Sequence, residues 1–361
     1  MAVSPRRPGL RTIALTVAAA GALVGAELER RHLHRLRHDE EYAALTAPLG
    51  GRALEVVSAD GTRLHAERFG PDPGARPGRD PAARPDPGAG PVIVLAHGWT
   101  ERLTFWGPVI SRLVAAGLRP VAYDLRGHGR SAPAAGGDYS LERFGDDVEA
   151  VLAATLADGE RGLVAGHSLG GMSIAAWAGG HDAGARVHAA ALVNTAMGDL
   201  LGGHLLLGEL AKRLEHPAIS RMVMGSGLRV PPFSTPWQQA VIRHAAFGPE
   251  ATPGMIAFYE RMLIESDAAA RAAAGVALTD MDLWDALSRL AVPALVIAGD
   301  RDRLTPPAQA HRIAERLPQP AGVIELKATG HMGPLERPDE IAAALVSLAR
   351  AHAPAADTAG R

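Results

Sequence analysis

Eight short apolar runs punctuate the chain, at residues 54–58, 63–69, 92–96, 120–123, 163–165, 189–193, 294–297 and 323–326. The first two flank a turn carrying Asp60-Gly61, which predicts an antiparallel hairpin. From Val92 onward the runs are apolar without alternation, and stretches with helical spacing of apolar positions separate them, 144–156 and 339–351 among them. A strand that is apolar on both sides must be covered on both sides. The pattern therefore predicts an α/β protein whose eight-stranded, mostly parallel sheet carries helices on both faces. In such a sheet a ligand site lies at the carboxyl ends of the strands.

Several stretches break that rhythm. Residues 71–90 hold six Pro and four Gly, a composition from which no packed element can be built, and read as a disordered surface insertion. Residues 196–286 lose the strand spacing and take a helical pattern containing six of the nine Met, with Phe233, Trp237, Phe247, Phe258 and Tyr259. At the N-terminus Arg6, Arg7 and Arg11 precede the uncharged, Ala-rich run 12–26. That layout fits a membrane anchor or an export signal, with a soluble Ala-rich helix and a cytoplasmic location as the alternative. The expected organisation is an anchor or signal-like segment at 1–50, one folded domain at 51–350 and a disordered tail at 351–361. His34 and His38 share a helix face, but two histidines among arginines fall short of the three or four ligands a metal needs, so no metal site is expected.

Composition narrows the chemistry. With 37 basic against 39 acidic residues the formal charge is −2, which offers no general attraction for phosphate backbones and speaks against a nucleic-acid partner. Zero cysteines exclude disulfides, thiol nucleophiles and thiolate metal sites together. A nucleophile has to be sought among hydroxyls.

Gly166-His167-Ser168-Leu169-Gly170 follows the fifth strand run and opens a helical stretch. A strand-to-helix turn tight enough to hold a serine hydroxyl clear of the sheet leaves room only for glycine two residues to either side, so Ser168 is the candidate nucleophile. A serine hydroxyl needs a base within hydrogen-bond reach. His97, His128, His167 and His331 all lie in or near strand-end loops, and spacing alone does not choose among them. An acid that orients the base should also leave a strand end. Asp300 and Asp302 do so after the run 294–297, whereas Asn194, at the equivalent position after 189–193, cannot supply the negative charge.

Taken in chain order, His97-Gly98-Trp99-Thr100, the run Asp124 to Ser131 (DLRGHGRS), the Ser168 motif, Gly299 to Pro306 (GDRDRLTP) and Gly330 to Pro338 (GHMGPLERP) resemble the α/β-hydrolase superfamily across residues 54–351. The resemblance implies Ser168 as nucleophile, His331 as base and Asp302 as acid, with Asp300 the alternative acid. It implies an oxyanion hole from the backbone N–H groups of Trp99 and Leu169, and it makes 196–286 a helical cap over the site. It further implies a serine hydrolase that takes a small-to-medium, fairly apolar carboxylic ester or lactone through an acyl-enzyme, without cofactor. Perhydrolysis, carbon–carbon bond hydrolysis and acyl transfer share that triad, and a non-catalytic ligand-binding module is the alternative of another class. Serine at the elbow argues against dehalogenase and epoxide-hydrolase chemistry, which needs a carboxylate there.

Overall fold

The computed structural model describes residues 38–70, 90–198 and 233–353, with isolated positions at 25–27, 30, 31, 34, 36, 225–227 and 230. Most of the expected anchor run 12–26, the insertion 71–90 except Gly90, and the tail beyond 353 lie outside the described residues, as do Met222 and Met224. No helix among the described residues is long and apolar enough to cross a membrane.

Eight strands form one sheet: β1 (Arg52–Val57), β2 (Arg63–Arg68), β3 (Val92–Ala96), β4 (Arg119–Tyr123), β5 (Gly162–His167), β6 (Val187–Val193), β7 (Ala294–Gly299) and β8 (Pro320–Leu326). Their order is β1-β2-β4-β3-β5-β6-β7-β8. The hairpin β1–β2 is antiparallel, β2 joins β4 antiparallel, and every pairing from β4 across to β8 is parallel. All eight apolar runs thus become strands; β4 to β8 are lengthened by one to three residues where the backbone ladder continues past the apolar signal, β3 keeps its bounds, and β1 and β2 end one residue before their runs do.

The helices are α1 (Glu40–Thr46), α2 (Gly107–Ala115), α3 (Leu141–Thr155), α4 (Leu169–Gly180), α5 (Pro236–Ala246), α6 (Pro253–Glu265), α7 (Ala268–Thr279), α8 (Pro307–Arg316) and α9 (Pro338–His352), with short helical turns between some of them. β3 shows why both sheet faces are apolar. Val92, Val94 and Ala96 pack into one core layer with Phe144, Val148 and Trp177, while Ile93 and Leu95 pack into the other with Val109, Leu113 and Leu345. Each such Leu or Ile side chain taken out of water contributes about 1.5–3 kcal/mol. α4 is buried on nearly every side, which explains its uniformly apolar sequence.

Two boundaries differ from the sequence reading. α1 packs against α6, and Tyr42, Leu45 and Leu49 join the core layer, so residues 40–50 belong to the folded body rather than to an N-terminal segment. α9 runs to His352, two residues into the expected tail. The difference has a physical reason: charged and polar residues near both boundaries mask, in the sequence, the apolar side that each helix buries.

Strand order reverses around β3: β4 lies on one side of it and β5 on the other. Chain leaving β3 and chain leaving β5 therefore diverge to opposite faces, opening a crevice above their carboxyl ends. Within the described part of 196–286, α5, α6 and α7 stand at this edge. Phe247, Phe258, Met262 and Met281 are buried in core layers, Met255 and Tyr259 are partly buried against one of them, and Phe233 and Trp237 face outward. The described Met and aromatic residues of that stretch thus mainly pack the helices.

Candidate functional site

Ser168 sits between β5 and α4 with φ 49° and ψ −115°, a conformation unfavourable for any residue with a Cβ. The flanking glycines have a steric cause. A Cβ on Gly166 would overlap the backbone of Gly170, and one on Gly170 would overlap the carbonyl of Ala96 on the neighbouring strand. The turn is held down by Ser168 N–H donating to Val193 O at 3.0 Å. Its side chain is half-buried rather than sealed.

Strain is concentrated at this edge. Thr100, Ser168, Asn194 and Ala328 are the non-glycine residues with left-handed φ among the described residues, and they follow β3, β5, β6 and β8 respectively. Backbone held in such conformations is a mark of functional sites.

His331 lies in the loop after β8, its N–H donating to Ala246 O of α5 at 2.7 Å. Nδ1 is 2.9 Å from Asp302 Oδ2, and both side chains are buried. Asp302 accepts further bonds from Leu304 N, Thr305 N, Thr305 Oγ1 and Asn194 Nδ2, at 2.8–2.9 Å. Burial alone would raise its pKa, but the adjacent His331 and these donors outweigh it and hold the carboxyl below the usual range. Asp300 instead accepts the Thr329 N–H at 3.3 Å and lies near the exposed Arg301, away from the imidazole.

The other three histidines are engaged elsewhere. His97 Nδ1–H donates to Gly98 O at 2.7 Å and Nε2 accepts from Leu125 N at 3.0 Å, which fixes a neutral ring; burial holds its pKa well below the ordinary value. His128 Nδ1–H donates to Arg126 O, and burial lowers its pKa too. His167 bridges Glu101 and the carbonyl of His331, and so holds the His331 loop beside the Ser168 turn.

The β3–β5 register aligns Ala96 with Gly166, so Trp99 and Leu169, each three residues further on, stand over adjacent strand ends. Leu169 opens α4, and first-turn amides have no partner within their own helix. The indole of Trp99 is turned to α7, where Nε1–H donates to Arg271 O at 2.9 Å. Thr100 meets Tyr259 of α6 at 3.1 Å, and burial pushes that tyrosine up to about 12.

Two groups escaped the sequence reading. Asn194, set aside there as unable to serve as the acid, donates through Nδ2 to Asp302 Oδ2 at 2.9 Å and to Gly330 O at 3.2 Å, steadying both loops. Glu336, six residues past Gly330, accepts from Gly330 N and Gly248 N, and burial pushes it up to about 7. An amide at a strand end and a carboxylate in an otherwise apolar stretch were the available signals. Among the described residues no group of three or more potential ligands could hold a metal ion.

A sequence-family profile described as "Serine aminopeptidase, S33" matches residues 89–332. The non-heme haloperoxidase of Rhodococcus erythropolis is 28% identical over 248 residues, covering 64% of this chain and 82% of that protein. Among solved structures, the enol-lactonase of Burkholderia xenovorans superposes with a TM-score of 0.62 at 25% identity, over 82% of this chain and 99% of the other. A thermophilic esterase from Thermogutta terrifontis superposes with a TM-score of 0.63 at 21% identity, over 83% of this chain and 99% of the other.

Proposed function

The chain belongs to the serine aminopeptidase S33 family of α/β-hydrolases, and from that premise we propose that it is a serine hydrolase of small-to-medium, apolar carboxylic esters or lactones. The observation that carries this reading is the 2.9 Å contact of His331 Nδ1 with the buried Asp302, at the same sheet edge where Ser168 is held in a strained turn.

In this reading Ser168 Oγ attacks the acyl carbonyl while His331 Nε2 takes its proton. Asp302 fixes the tautomer with Nδ1–H and stabilises the imidazolium. The N–H groups of Trp99 and Leu169 receive the developing oxyanion. His331 returns the proton to the leaving alcohol, and water activated by the same histidine discharges the acyl-enzyme, regenerating Ser168 and releasing the acid. No step calls for a cofactor or a metal. The likeness to an enol-lactonase and an esterase supports an ester or lactone as substrate.

The haloperoxidase relative supports a second reading, in which hydrogen peroxide replaces water as the acyl acceptor and a peracid is released. Both readings share the acyl-enzyme and differ only in its acceptor.

Ser168→Ala is expected to abolish turnover of p-nitrophenyl esters and labelling by a fluorophosphonate. Labelling that survives in this variant overturns the nucleophile. A panel of ester chain lengths, lactones and an aminoacyl p-nitroanilide, each with and without peroxide, then separates ester hydrolysis from amide hydrolysis and from peracid formation.

A further inference from the structure

His167 precedes the elbow serine, is fully buried, and has no part in the chemistry above. Its ring lies between that of Phe105, at 4.7 Å between centroids, and that of His331, at 4.9 Å. Nε2 is 2.8 Å from the main-chain O of His331. A carbonyl oxygen can only accept, so Nε2 carries a proton. Nδ1 is 3.1 Å from Glu101 Oε2, and that oxygen also accepts the Gly98 N–H at 2.5 Å. Glu101 Oε2 thus takes the Gly98 amide and faces Nδ1 at the same time, and a carboxylate oxygen in that place can only accept, which makes Nδ1 a donor as well. An imidazole with two N–H groups is a cation. Buried without a partner it would be prohibitively costly, and Glu101, itself buried, is the counter-charge. The remaining titratable neighbours are His97, held neutral by its two bonds, His128 and Tyr259, which feel Glu101, and the pair Asp302–His331.

We propose that Glu101 and His167 form a buried carboxylate–imidazolium pair that positions the two halves of the active site relative to one another. The bonds run from the Gly98 amide, at the start of the oxyanion loop, through Glu101 and His167 to the carbonyl of the base itself. There is no slack at the first link, because a Cβ on Gly98 would come within 2.9 Å of both Glu101 Oε2 and His167 Nδ1. Both are positioning residues: neither touches the reacting atoms. The pair sets the distance between the amide donor of Trp99, which receives the oxyanion, and the imidazole that moves the proton. This role rests on the serine-hydrolase reading, whereas the charged state of the pair does not.

Glu101→Gln keeps an acceptor for the Gly98 amide and removes the charge; His167→Gln keeps a donor for His331 O and removes the cation. Turnover of a p-nitrophenyl ester is measured per Ser168 site titrated with fluorophosphonate, so that misfolded enzyme is not counted. Each variant is expected to lose about tenfold to a hundredfold in kcat, less than deletion of an oxyanion donor, with KM within about twofold. The double variant should be no worse than the poorer single one. Unchanged kcat per titrated site, or losses that multiply in the double variant, overturn the positioning role. Nitrogen-15 spectra of labelled histidine in the unaltered protein should show both His167 ring nitrogens protonated at neutral pH; a neutral ring there overturns the pair even if the variants fail to fold. Absence of Ser168 labelling in the unaltered protein overturns the hydrolase reading and leaves the spectral test of the pair standing.

Discussion

Two clusters of buried charge stand near the carboxyl edge of the sheet and are built for different ends. After β4, the Arg126 guanidinium is wholly buried and forks onto Asp147 of α3 at 2.6 and 2.7 Å, with a third bond to Asp60 of the hairpin at 2.8 Å. Between β6, β7 and β8, Asp302 gathers donors from Asn194, Leu304 and Thr305 and is paired with His331. The first is closed, since a guanidinium does not titrate and its fork is matched. The second ends in an imidazole, a side chain that can take up and release a proton. Backbone strain separates them too. Asn194 and Ala328 flank the second cluster with left-handed φ, and no left-handed non-glycine residue lies in the 124–131 loop. Fixed charge in relaxed backbone suits the holding of a fold, and a carboxylate–imidazole pair in strained backbone suits proton transfer.

Substitution can break that contrast. Asp302→Asn should cost about four powers of ten in kcat through loss of the right tautomer, with a smaller loss of stability than Arg126→Met, because the amide oxygen still accepts from the Leu304 and Thr305 N–H groups. Arg126→Met should do the reverse. It strands Asp147 without its partner and lowers folding stability by about 3–5 kcal/mol in urea titration, while kcat per titrated site stays put. A large kcat loss in Arg126→Met with unchanged stability would erase the distinction.

A third carboxylate sharpens it through pH. Burial pushes Glu336 up to about 7, against the amides of Gly248 and Gly330 that favour its ionised form. Below the ordinary glutamate value both folded and unfolded chains hold the proton. As pH rises from there toward 7 the unfolded chain releases it and the native one keeps it, so this group subtracts up to about 3 kcal/mol of stability over that window and nothing further above it. Asp302 acts oppositely: its lowered pKa supports the fold above the ordinary aspartate value and loses that support as pH falls. Glu336→Gln should therefore flatten the fall in urea midpoint between pH 5 and 7, and an unchanged slope would show that the carboxyl is ionised throughout.

How much of this was legible beforehand varied with the range of the interactions. The strands and the elbow follow from local rules: both-sided apolar runs need a two-faced cover, and the glycines beside Ser168 answer contacts with Gly170 and Ala96. The choice of Asp302 over Asp300 and of His331 among four histidines came from resemblance to a superfamily, not from spacing. It could not have come from spacing, because the deciding contacts join loops far apart in sequence. Asn194 shows the limit most clearly. Its place at a strand end was evident, and its lack of charge ruled it out as the acid, but the use of its amide depends on where Asp302 arrives from 108 residues away. Glu101 and His167 were hidden for the same reason, being 66 residues apart.

Asn194 also supplies the smallest effect, and one that separates strain from hydrogen bonding. Its φ of 45° is tolerated by asparagine better than by most residues, and its Nδ2 holds Asp302 and Gly330 together. Asn194→Gly removes the amide but relieves the backbone; Asn194→Ala removes the amide and keeps a Cβ in the left-handed region. Both should lose about tenfold in kcat, the worth of one hydrogen bond to a charged group. Only the alanine variant carries the conformational cost, so it should be the less stable by about 1 kcal/mol in thermal or urea unfolding. Equal stability of the two would mean the turn relaxes and the strain at this edge is not fixed by its surroundings. Full kcat in both would mean that Thr305 and the backbone amides orient Asp302 unaided, and the contact between Asn194 and the acid would then be a matter of packing alone.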